Sequence, residues 1–303
     1  MTLADAFEAE RPRLERLAYA TLGSVAEAED VVQDAWLRLQ RAGEAPRDLA
    51  AWLTTVVSRL ALDALGSARA RREQYVGEWL PEPLVGAAPD PADRVTLDEE
   101  VSFAMLRVLE ALSPAERTAF VLHDVFGHSF GEVADAVGRS PQAARQLASR
   151  ARRHVQAGRP RFSATPGEQR EVVAAFAAAV AEGDLDRLVA VLDPDVTLRS
   201  DGGPSIPSLR EPIQGAPQVA GTMLGFIRLG GAGGVTGHHA QVNGRPGLVM
   251  WSRGIRAVVA FAVDEGRVTA IDIVRNPDKL AHVGDVGGEL ALDLPPRDDD
   301  GRP

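Results

Sequence analysis

The residues best arranged to do chemistry in this chain share one helical face. Gln142, Arg145, Gln146, Ser149 and Arg153 recur at i, i+3, i+4, i+7 and i+11, while Ala144, Leu147, Ala148, Ala151 and Val155 hold the opposite, apolar stripe. The polar face presents amides, guanidinium groups and a hydroxyl, and no carboxylate. Arg can pair twice with a guanine edge and Gln twice with an adenine edge, so the set suits a helix lying in a DNA major groove. Seven arginines and no acid lie between Arg139 and Arg161, and Ser140 and Arg150 complete the candidate contact set. A solvated surface helix is the competing reading. A basic face without compensating Glu is unusual for mere solvation, which favours DNA.

The elements that position this face are readable around it. Residues 130–137 suit a short helix with Val133, Ala134 and Val137 turned inward, and Gly138 permits a tight turn. Ser140 is a good N-cap, and Pro141 sits at the first helical position, where its missing N–H costs nothing. This is a helix-turn-helix.

Catalytic chemistry is weakly represented. Residues 230–234 are Gly-rich but lack the Lys-Ser/Thr of a phosphate-binding loop. His238 and His239 are adjacent, so on a strand they face opposite sides and cannot share one metal. Asp201, His238 or His239, and Asp272 are acid/base candidates, with structural roles favoured because no positioned pair can be argued. His123 and His128 read as structural or surface residues. No metal site and no cofactor are expected.

The net charge of −10 argues superficially against nucleic acid, but its distribution matters more. Acids cluster at 27–34, at 90–100 and in the tail, away from the arginine-rich segments. Lys279 is the only lysine, which reads as coding bias. There is no cysteine, so disulfides and thiol nucleophiles are excluded and a cytoplasmic location fits. No run of about 18 apolar residues suggests a membrane span, and the acidic N-terminus does not resemble a signal peptide.

Along the chain, residues 1–73 read as helical, with a core stripe at Val31, Val32, Ala35, Trp36 and Leu39 and another at Leu53, Val56, Val57, Leu60 and Ala64. Four prolines between 77 and 91 forbid a helix, so 74–98 reads as a linker. Helical periodicity returns over 99–158. Beyond it, an Ala-rich helix at 168–182 precedes short β-type runs at 196–198, 248–251, 255–263 and 267–274, making 165–283 a separate α+β domain. The Gly-, Asp- and Pro-rich tail, 284–303, is expected to be disordered.

Three segments carry a family resemblance: AEAEDVVQDAWLRL (26–39), AWLTTVVSRLALDALGSARARRE (51–73), and LSPAERTAFVLHDVFGHSFGEVADAVGRSPQAARQLASRARRHV (112–155). In order and spacing they resemble conserved regions 2 and 4 of extracytoplasmic-function sigma factors of the sigma-70 family. YVGEWLPEPL (75–84) and NPDKL (276–280) resemble the subgroup with a SnoaL-like C-terminal domain. In this chain Asp201-Gly202-Gly203 is followed by Pro204, where that subgroup tends to continue with glycine.

The resemblance implies two all-α modules followed by an α+β SnoaL-like, cone-shaped domain, and a sigma factor whose extra domain regulates it. It implies core RNA polymerase and promoter DNA as partners, with a small ligand for the extra domain left open. The clamp helices of polymerase would dock on Asp30, Gln33, Asp34 and Leu37. Opened DNA at the −10 element would lie near 42–50 and the following helix, with phosphate contacts from Arg59, Arg69, Arg71 and Arg72. The helix-turn-helix would read the −35 element. An enzyme of the cyclase or isomerase type fused to a DNA-binding region is the alternative.

Trp36, in an apolar stripe, reads as core rather than a stacking platform. An exposed Trp79-Leu80 in a proline-rich linker is costly unless covered. The third domain, with Asn276, Pro277, Asp278, Lys279 and Leu280, is the expected cover.

Overall fold

The structure is a computed structural model describing residues 2–42, 46–72, 75, 77–86, 101–158, 164–230, 234–284 and 290–294. The chain divides into two units, Met1–Gln74 with Met105–Arg159, and Tyr75–Ala104 with Pro160–Pro303.

The first unit is helical: α1 Leu3–Leu22, α2 Val25–Arg41, α3 Leu49–Arg72, α4 Phe103–Leu109, α5 Pro114–Phe120, α6 Phe130–Val137 and α7 Pro141–Gly158. Local chemistry sets their ends. Thr2 and Asp5 form a reciprocal cap on α1, and Ser24 accepts from the Glu27 N–H at the start of α2. Phe7, Leu14, Leu17, Val32, Ala35, Leu39, Leu53 and Val57 are buried between the first three helices. Trp36 joins them, its ring 4.9 Å from that of Phe7.

By length and composition alone, Leu49–Ser67 in α3 could cross a membrane. Its Leu53, Val57, Leu60, Ala61 and Leu65 are buried, and it packs with α1, α2, α5 and α6. Capping boxes also open α5 (Ser113 with Glu116) and α6 (Ser129 with Glu132). Between them α5 runs into a π turn, Val121–Val125, in which the Phe126 N–H donates to the Val121 carbonyl at 3.1 Å.

The second unit is a sheet ordered β1-β4-β5-β6-β7-β2-β3, with β8 pairing β4. The strands are β1 Val85–Gly86, β2 Leu192–Asp201, β3 Ile213–Gln214, β4 Val235–Val242, β5 Arg245–Ser252, β6 Ile255–Asp264, β7 Arg267–Val274 and β8 Leu290–Leu294. Among the described strands, only β2 and β7 pair in parallel. The hairpins joining β4 to β7 turn through Asn243-Gly244, Arg253-Gly254 and Glu265-Gly266, each Xaa-Gly pair at positive φ, as tight hairpins with native twist require.

One sheet face is covered by α8 Pro166–Glu182, α9 Leu185–Val191 and α10 Ala216–Gly230, whose Val173, Phe176, Leu188 and Val219 pack with Val196, Leu198, Val259 and Ile271. The other face carries Ala240, Val242, Val249, Val258 and Val274. Leu80, Phe103, Leu280 and Val283 cover it.

Two differences from the sequence reading have physical causes. Residues 290–294 form a strand on β4, so the tail is not disordered there; alternating Leu-Ala-Leu-Asp-Leu outweighs the surrounding Gly and Asp. Residues 285–289 and 295–303 lie outside the described residues. β4 itself was not anticipated, because Gly237 and the His pair interrupt its apolar alternation.

Candidate nucleic-acid interface and a buried polar node

α7 turns the expected two faces to its surroundings. Ala144, Ala148, Ala151 and Val155 are buried against α5 and α6, while Gln142, Arg145, Gln146, Ser149, Arg150 and Arg153 are exposed. Ser140 caps the helix by accepting from the Ala143 N–H at 3.2 Å, and is itself exposed. The arginines differ in their supports. Arg145 lies over the Phe130 ring, 5.3 Å from its centre. Arg150 reaches Glu116 at 3.3 Å, and Arg152 donates from Nε to Asp124 at 2.8 Å. These contacts pin α7 to α5 and to the π turn and leave its outer face available.

In the first module Asp30, Gln33, Asp34 and Leu37 are all exposed on one side of α2, opposite buried Val31, Val32 and Ala35. Arg59, on α3, donates from Nε and Nη2 to the Asp135 carbonyl of α6 at 3.1 and 2.8 Å. Its guanidinium is thus engaged within the helical unit. Arg69, Arg71 and Arg72 lie in the last turns of α3.

The third domain holds a buried polar node. Asp201, at the end of β2, has no solvent exposure. Its Oδ1 accepts from the Tyr75 hydroxyl at 2.6 Å and the Gly203 N–H at 3.0 Å; its Oδ2 accepts from the Leu80 N–H at 2.9 Å and Lys279 Nζ at 2.7 Å. Lys279 also donates to the Leu80 carbonyl and sits over the Trp79 ring, 3.9 Å from its centre. A carboxylate with each oxygen doubly satisfied and an ammonium alongside is how a charge pair tolerates burial. Burial pushes the Tyr75 hydroxyl far above the ordinary phenol range, and its bond to the Asp201 carboxylate adds to the effect, so it stays a proton donor.

The rest of the 276–280 segment completes the node. Asn276 donates to the Tyr75 oxygen at 3.1 Å and accepts from the Asp278 N–H at 3.1 Å, closing a 3-10 turn over Pro277–Leu280. Pro277 and Asp278 are exposed, while Leu280 is buried. A side chain at Gly202 would meet the Ile206 carbonyl oxygen at 2.0 Å, and one at Gly203 would meet Asn276 at 2.6 Å. Glycine is required at both by close approach, whatever follows at Pro204. Farther along, Leu84 exchanges hydrogen bonds with Asn243, 3.1 Å to its side chain and 2.8 Å from its backbone, and His282 Nε2 lies 2.9 Å from the Pro83 carbonyl.

The acid/base candidates are therefore dispersed among structural roles. Asp201 is satisfied by the linker, Asp272 faces Arg199 at 3.7 Å, and His238 meets the Trp251 ring edge-on at 5.6 Å. No group of His, Cys, Asp and Glu suited to a metal occurs among the described residues. Sequence reasoning missed Asn243 and His282, and favoured a structural role for Asp201 without naming its partners. One signal was present: in a chain that otherwise uses Arg, the single Lys marks a site needing a compact ammonium.

Comparison with known proteins bears on all three segments. Residues 6–71 match the model of Sigma-70 region 2, 102–155 that of Sigma-70 region 4, and 173–281 that of the SnoaL-like domain. The chain is 44% identical over 286 residues to the ECF RNA polymerase sigma factor SigJ of Mycobacterium tuberculosis, covering 90% of this chain and 92% of that protein. It is 38% identical over 281 residues to the probable ECF RNA polymerase sigma factor SigI of the same species, covering 91% and 93%. The crystal structure of M. tuberculosis SigJ superposes with a TM-score of 0.75 at 40% identity, over 92% of this chain and 98% of that one.

Proposed function

The chain belongs to the extracytoplasmic-function sigma factors, and from that premise we propose that α7 reads the upstream promoter element while the third domain regulates initiation by holding the linker. In this reading Gln142, Arg145, Gln146 and Ser149 meet base edges, and Ser140, Arg150 and Arg153 meet phosphates. The observation that carries it is the exposed, acid-free outer face of a helix whose Ala144, Ala148, Ala151 and Val155 are buried on the opposite side. Core RNA polymerase docks on Asp30, Gln33, Asp34 and Leu37, and the protein acts in the cytoplasm.

Arg59, with Arg69, Arg71 and Arg72, serves opened DNA at the downstream element. For Arg59 this requires release from the Asp135 carbonyl, so DNA and α6 compete for one guanidinium. The third domain is not an enzyme in this reading; the engagement of Asp201, Asp272 and His238 elsewhere supports that. Any small ligand would act by binding one linker arrangement better than another. Run-off transcription with core polymerase on a randomised promoter library tests the proposal. A defined upstream motif is expected; promoter-independent output would overturn it.

A further inference from the structure

The base-reading role of Arg145 proposed above leaves open what fixes its side chain. An exposed arginine loses rotamer freedom on binding, so a support that orders it beforehand sharpens recognition. The geometry points to Phe130, the first residue of α6, as the positioning residue for Arg145 and hence a determinant of promoter specificity.

Three observations converge on that ring. The Arg145 guanidinium lies over it, 5.3 Å from its centre. The His123 imidazole stacks on it at 3.9 Å between ring centres, tilted by 31°. The ring's own backbone is fixed by the cap of α6, where the Ser129 N–H donates to Glu132 at 2.8 Å and Ser129 Oγ accepts from the Glu132 N–H at 3.4 Å.

His123 is itself held. Its Nδ1 lies 2.8 Å from the His128 carbonyl, so Nδ1 carries the proton and donates. It reaches this place because it sits in the π turn Val121–Val125, whose widened loop also presents Asp124 to Arg152. One irregular turn thus supplies supports for two arginines of α7. Phe130 is only half-buried, and outside the buried set of α6 formed by Val133, Ala134, Ala136 and Val137. Its aromatic face is available for a cation, whereas an aliphatic side chain of similar bulk would fill space without holding one.

The test uses the full chain with core polymerase on promoters randomised over the upstream element, comparing Phe130→Leu, Phe130→Tyr and Arg145→Ala. Phe130→Leu should lose about two- to fivefold of the discrimination at the base pair that Arg145→Ala relaxes, with other positions unchanged. Phe130→Tyr should restore it. In the Arg145→Ala background, Phe130→Leu should add nothing at that base pair. Thermal unfolding of both Phe130 variants identifies general loss of fold, which would weaken all positions alike. If Arg145→Ala relaxes one base pair but Phe130→Leu does not, the positioning role is wrong while the reading of Arg145 stands. If Arg145→Ala changes no preference, both fall.

Discussion

Arg145 and Arg153 occupy the same exposed face of α7, but only Arg145 is seated on an aromatic ring. That difference predicts different phenotypes. Arg145→Ala or Gln146→Ala should cost about 1–3 kcal/mol at one or two base pairs of the upstream element and relax choice there. Arg153→Ala should weaken binding to all sequences alike and flatten its salt dependence. Binding profiles over a sequence library separate the two. The capping carboxylate of α6 makes a second residue-level prediction. The Ser129 hydroxyl and then the Ser129 N–H hold Glu132 below the usual carboxylate range, with a smaller contribution from His128, against slight burial. A carboxyl whose folded value is depressed stabilises above its unfolded value and loses that contribution as pH falls through the folded one. The stability gap between wild type and Glu132→Gln should therefore hold above about pH 5 and close only as pH falls through and below the ordinary glutamate range, as followed by thermal unfolding.

At the level of elements, the helix-turn-helix was legible because each of its determinants is local. Ser129, Glu132, Gly138, Ser140 and Pro141 act within one or two turns, and the apolar stripe needs only its own period. The node around Asp201 was not legible, because Tyr75 and Asp201 are 126 residues apart and Leu80 and Lys279 are 199 apart. Nothing in local pattern couples such positions. The need for cover at Trp79-Leu80, and its supply by 276–280 with Lys279, could be read, but not the carboxylate that pairs with that ammonium. Breaking one half of the pair leaves a buried, uncompensated charge, so Lys279→Met or Asp201→Asn should destabilise the third domain by about 3–5 kcal/mol. Limited proteolysis should then cut within 75–86 faster than in wild type; unchanged protection would mean the node does not hold the linker. On α2 the expectation is opposite. Asp30 and Asp34 are exposed, so reversing both to Lys should shift stability by no more than about 0.5 kcal/mol each. Circular dichroism should be unchanged while core polymerase binding is lost.

Across the whole molecule, the described linker residues, 75 and 77–86, belong to the same unit as the third domain. Within the linker expected at 74–98, Tyr75, Leu80 and β1 pair with the third domain through the node and the sheet. In the reading proposed above, holding residues 77–86 on the sheet is how the third domain would bias initiation. The most direct test is run-off transcription from one selected promoter, comparing the full chain, a chain ending near residue 162, and full-length Lys279→Met. The account predicts that truncation and Lys279→Met shift promoter activity in the same direction and by more than about threefold, with Trp79→Ala following them. Activity equal to wild type in all three would make the third domain a passenger and contradict the account.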